Sequence, residues 1–200
     1  MKDEFIKIYQ ENIKREGATE LLEYISKSDF FEAPASSRFH MSVKGGLCAH
    51  SVNVFKRLVA NAETEFGADW EKHLSKESLA ICGLLHDLCK IRFYKEDFRN
   101  QKDENGNWVK VPYYKKEEVF PFGHGEKSVF IINNYMKLTG EEAIAINWHM
   151  GGFDMRVLGG SQSISEAYDK YPLGVMLHVA DLQATYLDEN PRFQTIKENK

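Results

Sequence analysis

The residues able to do chemistry in this chain sit in its most apolar stretches. Leu79-Ala80-Ile81-Cys82-Gly83-Leu84-Leu85-His86-Asp87-Leu88 is an almost unbroken apolar run, and it ends on an imidazole beside a carboxylate. Burying both without partners is costly. A divalent metal ion suits the two together, because neutral imidazole and ionised carboxylate are its common N and O ligands. Hydrogen bonds to other helices would also satisfy them, so the pair alone decides little. Four more residues share its setting. His50 enters an apolar helical segment, and His124 lies in Phe122-Gly123-His124-Gly125. His149 closes Ala143-Ile144-Ala145-Ile146-Asn147-Trp148, and Asp181 lies inside Val175-Met176-Leu177-His178-Val179-Ala180-Asp181-Leu182. Ionisable groups are seldom buried, so six of them on five successive helical segments are most simply explained by one shared site. Four His and two Asp form a mixed N/O set that favours Mn, Fe, Co, Ni or Zn over Mg or Ca.

Apolar spacing of three and four predicts the helices that position these residues. They cover 3–15, 19–27 (opened by Thr19 after Gly17) and 48–66, where Val52, Phe55, Val59 and Ala62 share a face and Gly67 stops the run. A loop with Pro34, Ser36 and Ser37, ending at Gly45-Gly46, separates the second from the third. Ser75 with Glu77 opens the buried helix, which is expected to end near Cys89. Further helices are predicted at 125–138 and 140–149, the latter with Thr139 and Glu142 at capping-box spacing and Gly151-Gly152 as its stop. After a loop at 151–163, Ser163 and Glu166 show the same spacing ahead of a short helix. Pro172 opens the last, 172–188. Residues 91–98 and 108–114 are instead rich in β-formers and flank Asp103-Glu104-Asn105-Gly106-Asn107, whose Asn-Gly step is a strong hairpin signal. The expected fold is an all-α bundle with a β-hairpin inserted around 92–116. It is one domain over 1–200, with 1–35 as an N-terminal helical extension.

Three segments resemble the HD-domain superfamily of metal-dependent phosphohydrolases. Gly45-Gly46-Leu47-Cys48-Ala49-His50-Ser51 looks like its GGL-x-x-HS motif, Leu84-Leu85-His86-Asp87-Leu88-Cys89-Lys90 like LLHD-x-x-K, and Leu177-His178-Val179-Ala180-Asp181 like LH-x-AD. The resemblance runs from about 38 to 190. It implies an HD-type helical core in which His50, His86, Asp87 and Asp181 hold one ion. His124 and His149 fill the places of the extra histidines in the family's binuclear subgroup. The resemblance thus implies a second ion, with Asp87 bridging the two. Six ligands over two ions leave coordination positions open, as catalytic sites do.

The implied reaction is hydrolysis of a phosphoester of a nucleotide or short oligonucleotide by a metal-activated water. The same ligand set occurs in HD-fold di-iron oxygenases, and a non-catalytic nucleotide sensor would also keep it. Asp87 and Lys90 are the expected catalytic residues. Helical spacing puts Lys90 on the face of His86 and Asp87, to bind a phosphate oxygen or to pair with Asp87. Lys127 or Ser128, at the start of a helix, offers a phosphate contact or a plain capping role. Glu126 is either a proton shuttle or a surface residue, and His178 either supports a ligand or packs in the core. Trp148 and Phe153 are candidate walls for a base, and Arg156 a candidate contact for a terminal phosphate. The hairpin carries Phe93, Tyr94, Phe98, Arg99, Trp108, Lys110, Tyr113, Tyr114, Lys115 and Lys116; its aromatics either pack it onto the helices or stack a nucleobase.

Composition narrows the setting. The 26 basic and 30 acidic residues balance to −4, so no basic field points to duplex nucleic acid. Neither a membrane-length apolar run nor a signal-peptide core is present, and three cysteines without a CxxC pair suit a reduced cytoplasmic protein. Cys48, Cys82 and Cys89 are read as packing residues. Phe5, Ile6, Ile8, Tyr9 and Ile13 of the first helix cover either the core or a partner, which leaves a homo-oligomer open.

Overall fold

Helical periodicity becomes helix nearly throughout the computed structural model, which describes residues 1–198. The chain runs through α1 (Lys2–Asn12), α2 (Ala18–Lys27), α3 (Gly46–Phe66) and α4 (Lys76–Leu85). A hairpin of β1 (Tyr94–Lys102) and β2 (Trp108–Lys116) follows. Then come α5 (His124–Asn133), α6 (Gly140–Trp148), α7 (Met155–Leu158), α8 (Ser163–Lys170), α9 (Pro172–Gln183) and α10 (Pro191–Glu198). The long α3 is central: it packs on α1, α4 and α9, while α9 also packs on α6, and α6 on α5. Phe5 and Tyr9 of α1, Ile13 just after it, and Leu21 and Ile25 of α2 are buried in the same core as Leu58, Leu84, Ile146 and Leu177, with Ile6 and Ile8 against its edge. The apolar face of the first helix therefore covers this chain's own core. Each such aromatic or aliphatic side chain contributes about 1.5–3 kcal/mol by leaving water.

Several boundaries differ from the sequence pattern, each for a contact distant in sequence or a local hydrogen bond. α1 ends at Asn12 rather than 15, because Glu77 takes the backbone N–H groups of Lys14 and Arg15 and pulls the chain into an extended turn. Gly17, left-handed at φ 84°, opens α2, so Thr19 lies inside it. The Thr139–Glu142 capping box forms as expected. The Ser163–Glu166 one does not, because Ser163 is already helical and Gln162 precedes it. α5 stops at Asn133, whose side-chain oxygen accepts from the Leu138 N–H across the turn. α9 gives way at Ala184 to a wide turn, Ala184–Asp188, and the expected loop at 151–163 contains α7.

Two glycines set how closely the site-bearing helices approach. A Cβ at Gly83 would stand 2.6 Å from the Phe55 Cα, so α4 lies directly on α3. A Cβ at Gly125 would stand 2.2 Å from the Asn147 carbonyl oxygen, so the start of α5 lies on the end of α6.

The hairpin pairs Tyr94 with Lys116 at its base and Lys102 with Trp108 at its tip. Asp103 closes the turn by accepting from the N–H groups of Asn105 and Asn107. Toward its tip its large side chains stand open to water: Phe98 is 65% exposed and Trp108 69%.

Candidate metal centre

Four histidines surround one buried carboxylate. α4 ends at Leu85, and Asp87 leaves the helix at φ −104°, ψ 19° before a tight turn at Leu88–Lys90. His86 and Asp87 therefore do not share a continuous helix with Lys90, as the spacing had predicted. The break turns the Asp87 carboxylate into the bundle, where its side chain is 3% exposed. Its Oδ1 accepts from His124 Nε2 at 2.9 Å and lies 3.7 Å from His149 Nε2. Its Oδ2 lies 3.4 Å from His86 Nε2, 3.6 Å from His50 Nε2 and 2.6 Å from Lys90 Nζ. Burial works against ionising Asp87, but Lys90 and the imidazoles outweigh it and hold its pKa well below the usual carboxylate range.

The histidine tautomers follow from their outer nitrogens. His86 Nδ1 faces the Gly83 carbonyl at 3.0 Å, and His149 Nδ1 the Ile146 carbonyl at 2.6 Å. A carbonyl only accepts, so each Nδ1 carries a proton, and in the neutral ring Nε2 presents a lone pair. Both Nε2 atoms are buried and have no hydrogen-bond partner among the described residues. A lone pair in that position calls for an electrophile. This is how imidazoles are prepared to hold a metal, with the far nitrogen fixed by a backbone carbonyl.

α3 supplies His50 and α9 supplies Asp181. His50 Nε2 lies 3.2 Å from Asp181 Oδ1, and His50 Nδ1 lies 3.0 Å from Glu189 Oε1. Burial disfavours a charged His50, yet Asp181 and Glu189 prevail and raise its pKa to about 10. The same contacts push the Asp181 carboxyl down against its burial. The place between Asp87 and Asp181 thus favours positive charge.

Potential ligand atoms fall into overlapping groups within 4.8 Å: His50, His86 and Asp87; His86, His149 and Asp181; and Asp87, Cys89 and His124. All six residues singled out from the sequence are therefore brought together, on α3, the end of α4, α5, the end of α6, and α9. The residues fit a divalent ion: the donors are N and O, two are bare lone pairs, and two are ionised carboxylates.

The structure adds three residues to the surroundings of the site that the sequence reading did not place there. Cys89, read as packing, lies with its Sγ 3.3 Å from His124 Nδ1 and outside the apolar core that holds Cys48 and Cys82; burial pushes its thiol up to about 12. Glu189 sits in the polar stretch Leu187-Asp188-Glu189-Asn190, which reads as surface. Its side chain is 1% exposed and accepts from His50, from His40 Nδ1 at 2.6 Å and from Asn53 at 3.1 Å. Arg57 pairs with Asp188 and anchors the segment. His40 comes from a loop with no pattern, and its ring centroid lies 4.7 Å from that of His50. Together with Glu189 these two histidines form a fourth potential ligand group.

The expected substrate contacts are mostly committed elsewhere. Lys90 pairs with Asp87. Lys127 is buried and pairs with Glu118 at 2.7 Å rather than capping α5. Ser128 Oγ accepts from the Cys89 N–H, tying α5 to the turn after α4. Arg156 lies 3.9 Å over the Trp148 ring and pairs with Asp154 and Glu126, so that face of Trp148 is covered and is no free wall for a base. Glu126 keeps one buried oxygen without a partner among the described residues. His178 Nδ1 donates to the His149 carbonyl at 2.7 Å, with its ring packed under Gly151, so it supports the His149 backbone. Charged groups this far from water find counter-ions, and the fold places one beside each.

Among the described residues no helix is long and apolar enough to cross a membrane. Compared with known proteins, the chain matches no family model, no curated protein and no solved structure.

Proposed function

We propose that this chain is a metal-dependent phosphohydrolase of the HD-domain type, acting on a phosphoester of a nucleotide or short oligonucleotide. The observation that carries this reading is the pair of buried, unpartnered Nε2 atoms of His86 and His149, converging with His50 and His124 on Asp87. His50, His86, Asp87, His124, His149 and Asp181 would hold the divalent ions, which would supply Lewis acidity for polarising phosphoryl oxygens and activating water.

The chain's own residues do the rest. Asp87 turns Oδ1 toward His124 and His149 and Oδ2 toward His50 and His86, which suits a carboxylate shared between two ions. Asp181 completes the set beside His50. Glu189 and the Gly83 and Ile146 carbonyls fix the imidazoles so that Nε2 points inward. Lys90 neutralises Asp87 at 2.6 Å and keeps 12% of its side chain exposed, which leaves its ammonium able to meet a phosphoryl oxygen as well. The buried free thiols support a reducing compartment such as the cytoplasm.

Metal analysis of protein purified with and without oxygen, followed by a phosphoester panel, tests the reading. Metal-dependent release of phosphate or nucleotide, abolished in Asp87→Ala, is the expected result. Oxygen uptake with iron and no phosphoester turnover would reassign the site to an oxygenase. Nucleotide binding with no turnover would make it a sensor. Full activity of His124→Ala with a single ion would remove the second metal.

A further inference from the structure

The hairpin has one face that the metal centre does not account for. Residues paired across an antiparallel ladder share a face, and so do alternate residues along each strand. One face therefore presents Phe98, Trp108 and Tyr114 together with Lys102, Lys110 and Lys116, and Glu96 is the acid among them. Phe98 and Trp108 stand mostly in water, and the Lys102 ammonium lies 5.4 Å from the Trp108 ring centroid. A two-stranded ribbon off the bundle is marginal by itself, so exposed aromatics on it are a cost unless something covers them.

Charge indicates what covers them. The strands and turn from 94 to 116 hold six basic and four acidic residues in a chain whose net charge is −4. Rings alternating with lysines match a strand of bases and phosphates, since any base stacks on an aromatic face and each phosphate pairs with a cation. A second copy placed face to face would set lysines against lysines. An anionic membrane would meet Asp103 and Glu104 at the tip first. The face starts beside the metal centre: its base residue Tyr94, paired with Lys116, is half-buried and lies four residues beyond Lys90 in the chain.

We propose that the Phe98–Trp108 face binds single-stranded oligonucleotide, bases on the rings and phosphates on Lys102, Lys110 and Lys116, and leads the strand to the centre at the hairpin's base. The binding stands by itself; the delivery rests on the phosphohydrolase reading.

The test is fluorescence anisotropy of a labelled twelve-nucleotide single strand with the full chain in EDTA, so that nothing is cut. Trp108→Ala and Phe98→Ala are each expected to weaken binding roughly five- to a hundred-fold, and Lys110→Glu to weaken it further at low salt. All three positions are exposed, and matched melting curves confirm folding. With metal restored, the variants are expected to raise KM for the oligonucleotide and to leave turnover of bis(p-nitrophenyl) phosphate unchanged. Trp108→Ala binding as tightly as the wild type overturns the platform, as does wild type that ignores the strand but binds anionic vesicles or dimerises through Trp108. Turnover of small phosphoesters without strand binding would overturn the platform alone. Trp108-dependent binding with no turnover of any phosphoester would uphold it and overturn the hydrolase.

Discussion

Asp87→Asn probes the centre of the site with almost no change of shape. In the wild type, Oδ2 holds the Lys90 ammonium at 2.6 Å and Oδ1 holds His124 at 2.9 Å, with the two side chains of the ion pair 3% and 12% exposed. Asp87 titrates well below the usual range, so the charge is present at any working pH. Removing one partner of a buried pair costs about 3–5 kcal/mol. The amide oxygen still accepts one hydrogen bond, which returns about 1 kcal/mol. The expected loss in EDTA is therefore about 2–4 kcal/mol, or about 5–15 °C in Tm for a chain of this size. The second effect is on metal. An ion at a hundred times its Kd stabilises the wild type by about 2.7 kcal/mol, and the variant, lacking the central charge, is expected to lose most of that rise. Thermal melts in EDTA and in Mn or Zn, with phosphoester turnover in the same buffers, read both effects. An Asn variant that melts with the wild type in EDTA and shows the full metal-dependent rise would refute the reasoning, because Asp87 would then neither pair with Lys90 nor draw a cation.

Three further outcomes follow from other contacts. Glu142, fully buried, accepts from Arg15 at 2.7 and 2.9 Å, from Ser78 at 2.7 Å and from the Thr139 N–H at 2.8 Å; burial opposes its ionisation, but these partners prevail and lower its pKa. A depressed folded pKa gives stability that is complete above the ordinary glutamate range and lost as pH falls through the folded value. Glu142→Gln should thus cost about 2–4 kcal/mol at neutral pH and flatten the acid limb of the stability profile in urea melts; an unchanged limb would exclude Glu142 as its source. Gly83→Ala should cost about 2 kcal/mol or more, because its Cβ meets the Phe55 backbone at 2.6 Å. Gly140→Ala, with nothing within 4 Å, should instead gain about 0.4–1 kcal/mol, and equal denaturation midpoints for the two would show that the α3–α4 spacing is slack. Glu189→Gln should weaken metal binding about 10–100-fold in competition with a chromophoric chelator, and unchanged affinity would mean that His50 needs no anchor.

Local patterns carried much of the architecture. The spacing of apolar residues marked the longer helices, Asn105-Gly106 marked the hairpin, and Thr139 with Glu142 marked the start of α6. The six chemistry-bearing residues were legible because each interrupts an apolar run, and that conflict is visible one segment at a time. The neighbours each residue would meet were not legible. Arg156 and Lys127 look free in the sequence but are held by Asp154, Glu126 and Glu118, and nothing near Cys89 announces His124 as its neighbour.

What the sequence determined by itself is where the longer helices run and which six polar groups interrupt their apolar runs, because periodicity and apolar context are properties of short stretches of chain. Tertiary structure alone decided that α4 breaks before Asp87, that Asp87 turns toward four imidazoles, and that Glu189 fastens His50 from 139 positions away. Those outcomes depend on distances between helices, set by contacts such as Gly83 on Phe55 and Gly125 on Asn147. Packing of that kind is a property of the assembled core, and no single segment encodes it.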